Sequence, residues 1–535
     1  MRPQRKHLSA VVAALFLGLA AFPAGAQQAA RLGKMHFKVE CNAAAQKEFD
    51  VAMAYYHSFA WELYQAPVER VLQADPACGM AHWVRALGML DNPFVWPANL
   101  SVKIFNEGQA ALDAARKAGL KTQRERDYVE ALAVFYKDHD KLNHRTRAKA
   151  LEEAMAQVAS RYPDDKEATI LHALILSANF DPADRNYTNQ LRAARILEPI
   201  FLAQPEHPGV AHYLIHSYDY PPIAKHGLAA AKRYSEIAPG APHALHMPSH
   251  IFTRVGAWRE SVESNRASAN APQASVPNKL HGYDYMVYAH LQLGQDRAAQ
   301  RVIAQAKEIH KPADHFATAY GYAAMPSRYA IERGDWKAAA NLSLYPAADA
   351  YGWKKFPQAE AINAFARGIG AAMSQDPVAA QVEVKRLEAL RDAAVALKIG
   401  YWVEQIAIQA EVVRGLATCA AGKHAEGIEI LSKAAAREDA TEKHVVTPGL
   451  LLPAREVLAE TVLNFGKPAD ALREYEAVIG KEPNRYRAFA GAAQAAQRAG
   501  DAKKAADYSA RLVELTKDAD TPRPEIAQAK RVIGK

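Results

Sequence analysis

The chain has 535 residues, 66 Lys and Arg against 58 Asp and Glu, three cysteines, and half of its residues hydrophobic. Setting aside Arg2, Arg5 and Lys6 leaves a positive excess of about five charges scattered along the sequence, with no basic cluster interleaved with aromatics, which argues against nucleic acid as a partner. Beyond the N-terminus no run is long and apolar enough for a bilayer, so no membrane span is expected once that segment is removed.

Residues 1–26 combine a charged start, an apolar stretch over 8–22 and the small-residue exit Ala24-Gly25-Ala26. This is the layout of a secretory signal peptide, and it predicts a periplasmic or secreted protein starting near Gln27. Residues 27–180 read as degenerate helical repeats, with helices expected over 103–118, 124–137, 145–161 and 166–178. Cys41 and Cys78 flank the first unit. An oxidising compartment permits a disulfide between them, and the sequence leaves that pairing open. Cys419, in GLATCAAG, reads as a small buried residue.

Residues 181–300 are rich in histidine: seven of the chain's twenty fall between His207 and His250. In HPGVAHYLIHSYD, His212 and His216 are four apart on one helix face, with Asp219 just beyond. In PGAPHALHMPSHIFTRVG, residues 239–256, His243, His246 and His250 fall within about 60° of one another on a helix. Pro242 suits a first helical position, whereas Pro248 lies inside the helix and should bend it. In HGYDYMVYAHLQLG, His281 and Asp284 are three apart on the next first helix.

Residues 301–448 continue as degenerate repeats and residues 449–517 as regular ones. Gly466 and Gly500 are 34 positions apart, as are Ala471 and Ala505, which is the tetratricopeptide period: two antiparallel helices joined at a glycine, with a small residue five positions later. The same glycine-to-small spacing recurs at Gly256/Ser261, Gly294/Ala299, Gly334/Ala339 and Gly422/Gly427. Residues 518–535 form a charged tail expected to fray. No stretch alternates as a strand does, so the fold class is all-α: a tetratricopeptide-like helical-repeat solenoid of antiparallel helix pairs forming a superhelix.

In such a solenoid the first helices line the concave face, so the three histidine-bearing helices should meet in one groove. His212, His216, His243, His246, His250, His281 and Asp284 are the candidate metal ligands, and Tyr213, Tyr218, Asp219 and Tyr285 the candidate ligand contacts. Imidazoles with a carboxylate suit copper, zinc or iron, so a transition metal is the cofactor such a set would take. The alternative is packing, because helical histidines commonly bond neighbouring carbonyls. Packing is preferred for His57, Glu62 and His82, since His57 and Glu62 point about 140° apart. Ser249 and His250 are adjacent and diverge by about 100°, so they make no nucleophile–base pair.

The strings FDVAMAYYHSFAWELY, LIHSYDYP, PHALHMPSHIFTRVGAW and HGYDYMVYAHLQLG resemble a group of exported bacterial tetratricopeptide-repeat proteins that carry a HALHMPSHIF-type segment. The resemblance spans residues 41–294 and implies a helical-repeat array; it brings no assigned activity and no catalytic residue. Two functions follow from the pattern. One is an exported scaffold whose histidine-lined concave groove binds a peptide, a protein or a small ligand. The other is a metal-dependent enzyme with the histidine helices as ligands.

Overall fold

A computed structural model describes residues 31–535, and the signal-peptide reading falls outside them. The described residues form one unit of α-helices with short 3-10 turns and no strand among them. Helices occupy Val102–Ala118, Gln123–Tyr136, His144–Arg161 and Lys166–Ala178, within one residue of expectation. Local chemistry sets these boundaries. Thr122 and Glu125 form a reciprocal capping box, and the Asp165 side chain accepts from the Glu167 and Ala168 N–H groups.

The repeat signature reappears in three dimensions. Gly256, Gly294, Gly334, Gly422, Gly466 and Gly500 all have positive φ at helix–helix turns, and the small residue five positions after each is buried where two helices touch. At Gly256 a Cβ would stand 2.3 Å from the Pro483 carbonyl oxygen, so this turn excludes a side chain for packing reasons as well. The protein is therefore a tetratricopeptide-like helical-repeat protein.

The solenoid does not stay open. Leu32 to Phe252 contribute to one hydrophobic core and Leu280 to Ala529 to a second. In the second half the array curls until the Tyr486–Arg498 helix meets Val276–Gln292. The Tyr486 N–H donates to Gln292 Oε1 at 2.9 Å, and the Trp258 indole N–H donates to the Asn484 carbonyl at 2.8 Å. The tail over 518–535 does not fray. Arg523 pairs with Asp296 in a buried site, and the Pro524–Val532 helix sets Ile526 and Ala529 into the core. Burial of those side chains and a desolvated ion pair outweigh the charged composition of the tail.

Cys41 and Cys78 are disulfide-bonded, closing a loop across the first helix pair, and Cys419 is free and buried. No helix among the described residues is long and apolar enough to cross a membrane.

Residues 441–453 leave the helical pattern and run as a strap along the boundary between the two cores. Buried carbonyls outside a helix must find donors. Arg254 donates to the Thr447 and Pro448 carbonyls, Arg328 to those of Gly449 and Leu450, and the Tyr285 hydroxyl to that of Val446. At the strap's start the Glu438 carboxylate accepts from the Ala454 N–H, and burial pushes its pKa up, to about 8, from 4.5. The folded state therefore holds this proton more tightly than the unfolded chain. Its stabilising contribution is complete below about pH 4.5 and is lost as pH rises through about 8. Stability should fall over that window by on the order of a few kcal/mol, and denaturant unfolding of Glu438→Gln should show a flatter pH dependence.

Candidate functional site

The histidines lie where the two cores meet. The 239–256 segment forms two helices, Pro242–His246 and Pro248–Val255, joined at Met247, which keeps helical dihedrals. Pro248 thus bends a continuous helix, and the Met247 N–H still reaches the His243 carbonyl at 2.9 Å. The bend divides the three histidines. His243 turns toward His212 and His216 on the Pro208–Tyr218 helix, while His246 and His250 turn toward His281 on Val276–Gln292.

The result is two sets of three imidazoles, His212/His216/His243 and His246/His250/His281, each with its ligand nitrogens within 4.8 Å of one another. Rings of the two sets adjoin across the boundary, with centroids 6.1 Å apart for His243 and His246 and 6.4 Å for His216 and His250. All six are buried or half-buried. His243 and His281 are the half-buried pair, and the strap approaches the second set through Val446, which accepts from the Tyr285 hydroxyl, and Lys443, which pairs with Asp219.

Hydrogen bonding at the far side of three of the six rings, His212, His246 and His250, fixes their tautomers. His212 Nδ1 lies 2.6 Å from the His57 carbonyl, which can only accept, so Nδ1 carries the proton and Nε2 a lone pair. His246 Nδ1 lies 2.6 Å from Asn265 Oδ1; the Asn265 amide nitrogen donates to the Ser261 carbonyl, which sets that amide's orientation. His250 Nδ1 donates to Asp219 Oδ2 at 2.8 Å. The Nε2 atoms then approach one another, lone pair to lone pair for His246 and His250 at 3.0 Å, with His216 and His243 bringing theirs to 3.1 Å and 3.2 Å from the lone pair of His212.

Between His246 and His250 neither Nε2 has a proton to donate. The single lone pair of His212 faces two other nitrogens. Protonation would relieve this, but burial foremost, then neighbouring imidazoles, holds His212, His216, His243 and His281 well below the ordinary imidazole value and brings His246 down to about 3. A metal cation is what such a convergence accommodates. Nitrogens about 3.0–3.2 Å apart span two bonds of about 2.0–2.1 Å meeting at roughly 95–100°.

The remaining candidates take supporting positions. Asp219 touches none of the converging Nε2 atoms. Besides His250 it pairs with Lys443 Nζ at 2.7 Å and Arg254 Nε at 3.0 Å. Burial works to raise its pKa, but Lys443, His250 and Arg254 together pull it well below the usual carboxylate range. Asp284 belongs to neither set: its Oδ1 accepts from Arg328 Nε at 3.0 Å. Tyr213 donates to His57 Nδ1, and Tyr218 to Glu198, in packing roles. The Tyr285 ring lies 5.0–5.3 Å from His246, His250 and His281, and its hydroxyl is 3.3 Å from His250 Nε2.

A third cluster shows what a satisfied histidine network looks like. His207 Nδ1 accepts from the Val210 N–H, so its Nε2 donates to Glu167; His57 donates to the other Glu167 oxygen and accepts from Tyr213. Every nitrogen has a complementary partner there, and the cluster braces the backbone carbonyl that orients His212. Sequence reading placed His57 in packing but missed Glu167, as well as Asn265, Lys443 and the aromatic walls Phe59 and Phe94, which stack on His243 and His216. These residues come from distant parts of the chain and share no local spacing.

Removing the hydrogen bond behind a ligating imidazole costs metal affinity. Asp219→Asn should lower the affinity of the His246/His250/His281 set by about 10–100-fold and leave the other set unchanged, as read from a two-phase metal titration.

No family model matches the chain, and no curated protein matches it in sequence. Among solved structures it is similar to a signal-transduction ATPase with a tetratricopeptide-repeat sensor from Pyrococcus horikoshii, at 12% identity and TM-score 0.35, covering 90% of this chain and 74% of that one. It is also similar to the tetratricopeptide-repeat domain of P58(IPK), at 12% identity and TM-score 0.21, covering 86% of this chain and 100% of that one. Superposition at this level carries no functional argument; the repeat architecture rests on the chain's own helix pairs and turn glycines.

Proposed function

We propose that this protein is an exported metalloprotein whose repeat array builds a buried dinuclear transition-metal centre, one ion held by His212, His216 and His243 and the other by His246, His250 and His281. The observation that carries the reading is the convergence of six imidazoles in two sets, in which His212, His246 and His250 present Nε2 lone pairs because their opposite nitrogens are committed as donors to His57, Asn265 and Asp219. Packing histidines satisfy both ring nitrogens, as the His57–Glu167–His207 cluster does. Export is supported by the layout of residues 1–26 and by the Cys41–Cys78 bond, which suits an oxidising compartment.

X-ray absorption on protein loaded with copper or zinc tests the coordination. The expected result is a first shell dominated by imidazole nitrogen at about 2.0 Å. A shell dominated by carboxylate or water, without imidazole scattering, would contradict the assignment.

A further inference from the structure

We infer that the pair of three-histidine sites works as a dicopper centre that reduces dioxygen by two electrons. This rests on the dinuclear reading above and names the metal and reaction class of that same site.

Charge selects the metal. All six ligands are neutral imidazoles. The one carboxylate directly behind them, Asp219, is already met by Lys443 and Arg254, and the next, Asp284, by Arg328. No side-chain anion remains to offset two divalent ions in a pocket whose ligands are buried or half-buried, and desolvated positive charge is costly, so the reduced cuprous pair is the favoured resting form. Two cuprous ions bring half the charge of two zinc or ferrous ions. Three imidazoles also leave each ion short of a full coordination sphere, so a small reactant can approach.

Arrangement selects the reaction. Single-electron reduction of dioxygen is unfavourable, and two adjoining one-electron donors bypass it. The sets adjoin at His243/His246 and His216/His250, and apolar rings, Phe59 against His243 and Phe94 against His216, wall the first set. In the step proposed, each cuprous ion gives up one electron and becomes cupric. Dioxygen accepts both electrons, takes one proton from each of two waters and leaves as hydrogen peroxide, and the two hydroxides that remain offset the added charge of the cupric pair. Two cuprous ions, one dioxygen and two waters thus yield two cupric ions, one hydrogen peroxide and two hydroxides.

The test is a single turnover. Protein is loaded with cuprous ion under anaerobic conditions, freed of excess metal, and mixed with dissolved oxygen while oxygen uptake, released peroxide and the cupric signal are followed; zinc-loaded protein is the control. The expected result is one oxygen consumed and one peroxide formed per two coppers. His246→Ala and His243→Ala, each keeping one intact set and checked for native circular dichroism, should react more slowly per copper by about tenfold or more. Binding of two coppers with no oxygen uptake above the zinc control, or the same rate per copper in both variants, would overturn the dioxygen chemistry while leaving the dinuclear centre standing. Binding of fewer than two coppers would overturn the centre itself, and this inference with it.

Discussion

Replacing Arg485 with methionine is expected to destabilise the fold by about 3–5 kcal/mol. The guanidinium is fully buried, donates to Glu332 at 2.7 Å and to Glu456 at 2.5 Å, and reaches the Tyr288 hydroxyl at 3.1 Å. Burial alone would lower its pKa, but Glu332, Glu456 and Tyr288 hold it well above the ordinary arginine value. Methionine fills the space and leaves Glu332 without its cation. Denaturant unfolding should show a lower midpoint at an unchanged slope, and adding Glu332→Gln should recover part of the loss. A midpoint equal to that of the unsubstituted protein would show that the C-terminal repeats close onto the middle of the chain through other contacts.

Replacing His246 with alanine should reduce the metal bound per chain from two ions to one. His246 supplies the nitrogen facing His250, and without it the second set keeps two imidazoles. Affinity there should drop by more than about 100-fold, since outer partners alone account for 10–100-fold. His212→Ala should empty the other set in the same way, and the double variant should bind neither ion tightly. If the two single variants each lost both ions, the sets would form one indivisible site.

Much of this molecule is legible in its sequence, because local rules dominate a solenoid. A turn glycine needs a left-handed backbone, and a small residue five positions later needs a close helix contact; both are visible in a window of ten residues, and all six such pairs fold accordingly. Six of the seven histidine and carboxylate ligand candidates come together, since helical spacing places His212 with His216 and His246 with His250. Asp284 was misplaced because spacing says which face a residue occupies but not what lies opposite. Its partner Arg328 is on a helix 44 residues away.

Three features were out of reach for the same reason. Pro248 announces a bend, but not that the bend sends His243 to one histidine set and His246 to the other. The strap over 441–453 has no periodicity to reveal it, and its place is fixed by arginines 190 or more positions upstream for Arg254 and more than a hundred for Arg328. The closure of the second half depends on Arg485 finding Glu332 and Tyr288, pairings of side chains more than 150 residues apart. Long-range ion pairs of this kind leave no local trace.

Elemental analysis of the purified protein, without a histidine tag and after saturation with copper followed by removal of loosely held ions, addresses the central claim most directly. The arrangement of the six histidines predicts two copper ions per chain, retained through gel filtration. Retention of none, in protein whose circular dichroism is that of a folded helical array, would contradict the dinuclear centre and return the histidines to a purely structural role.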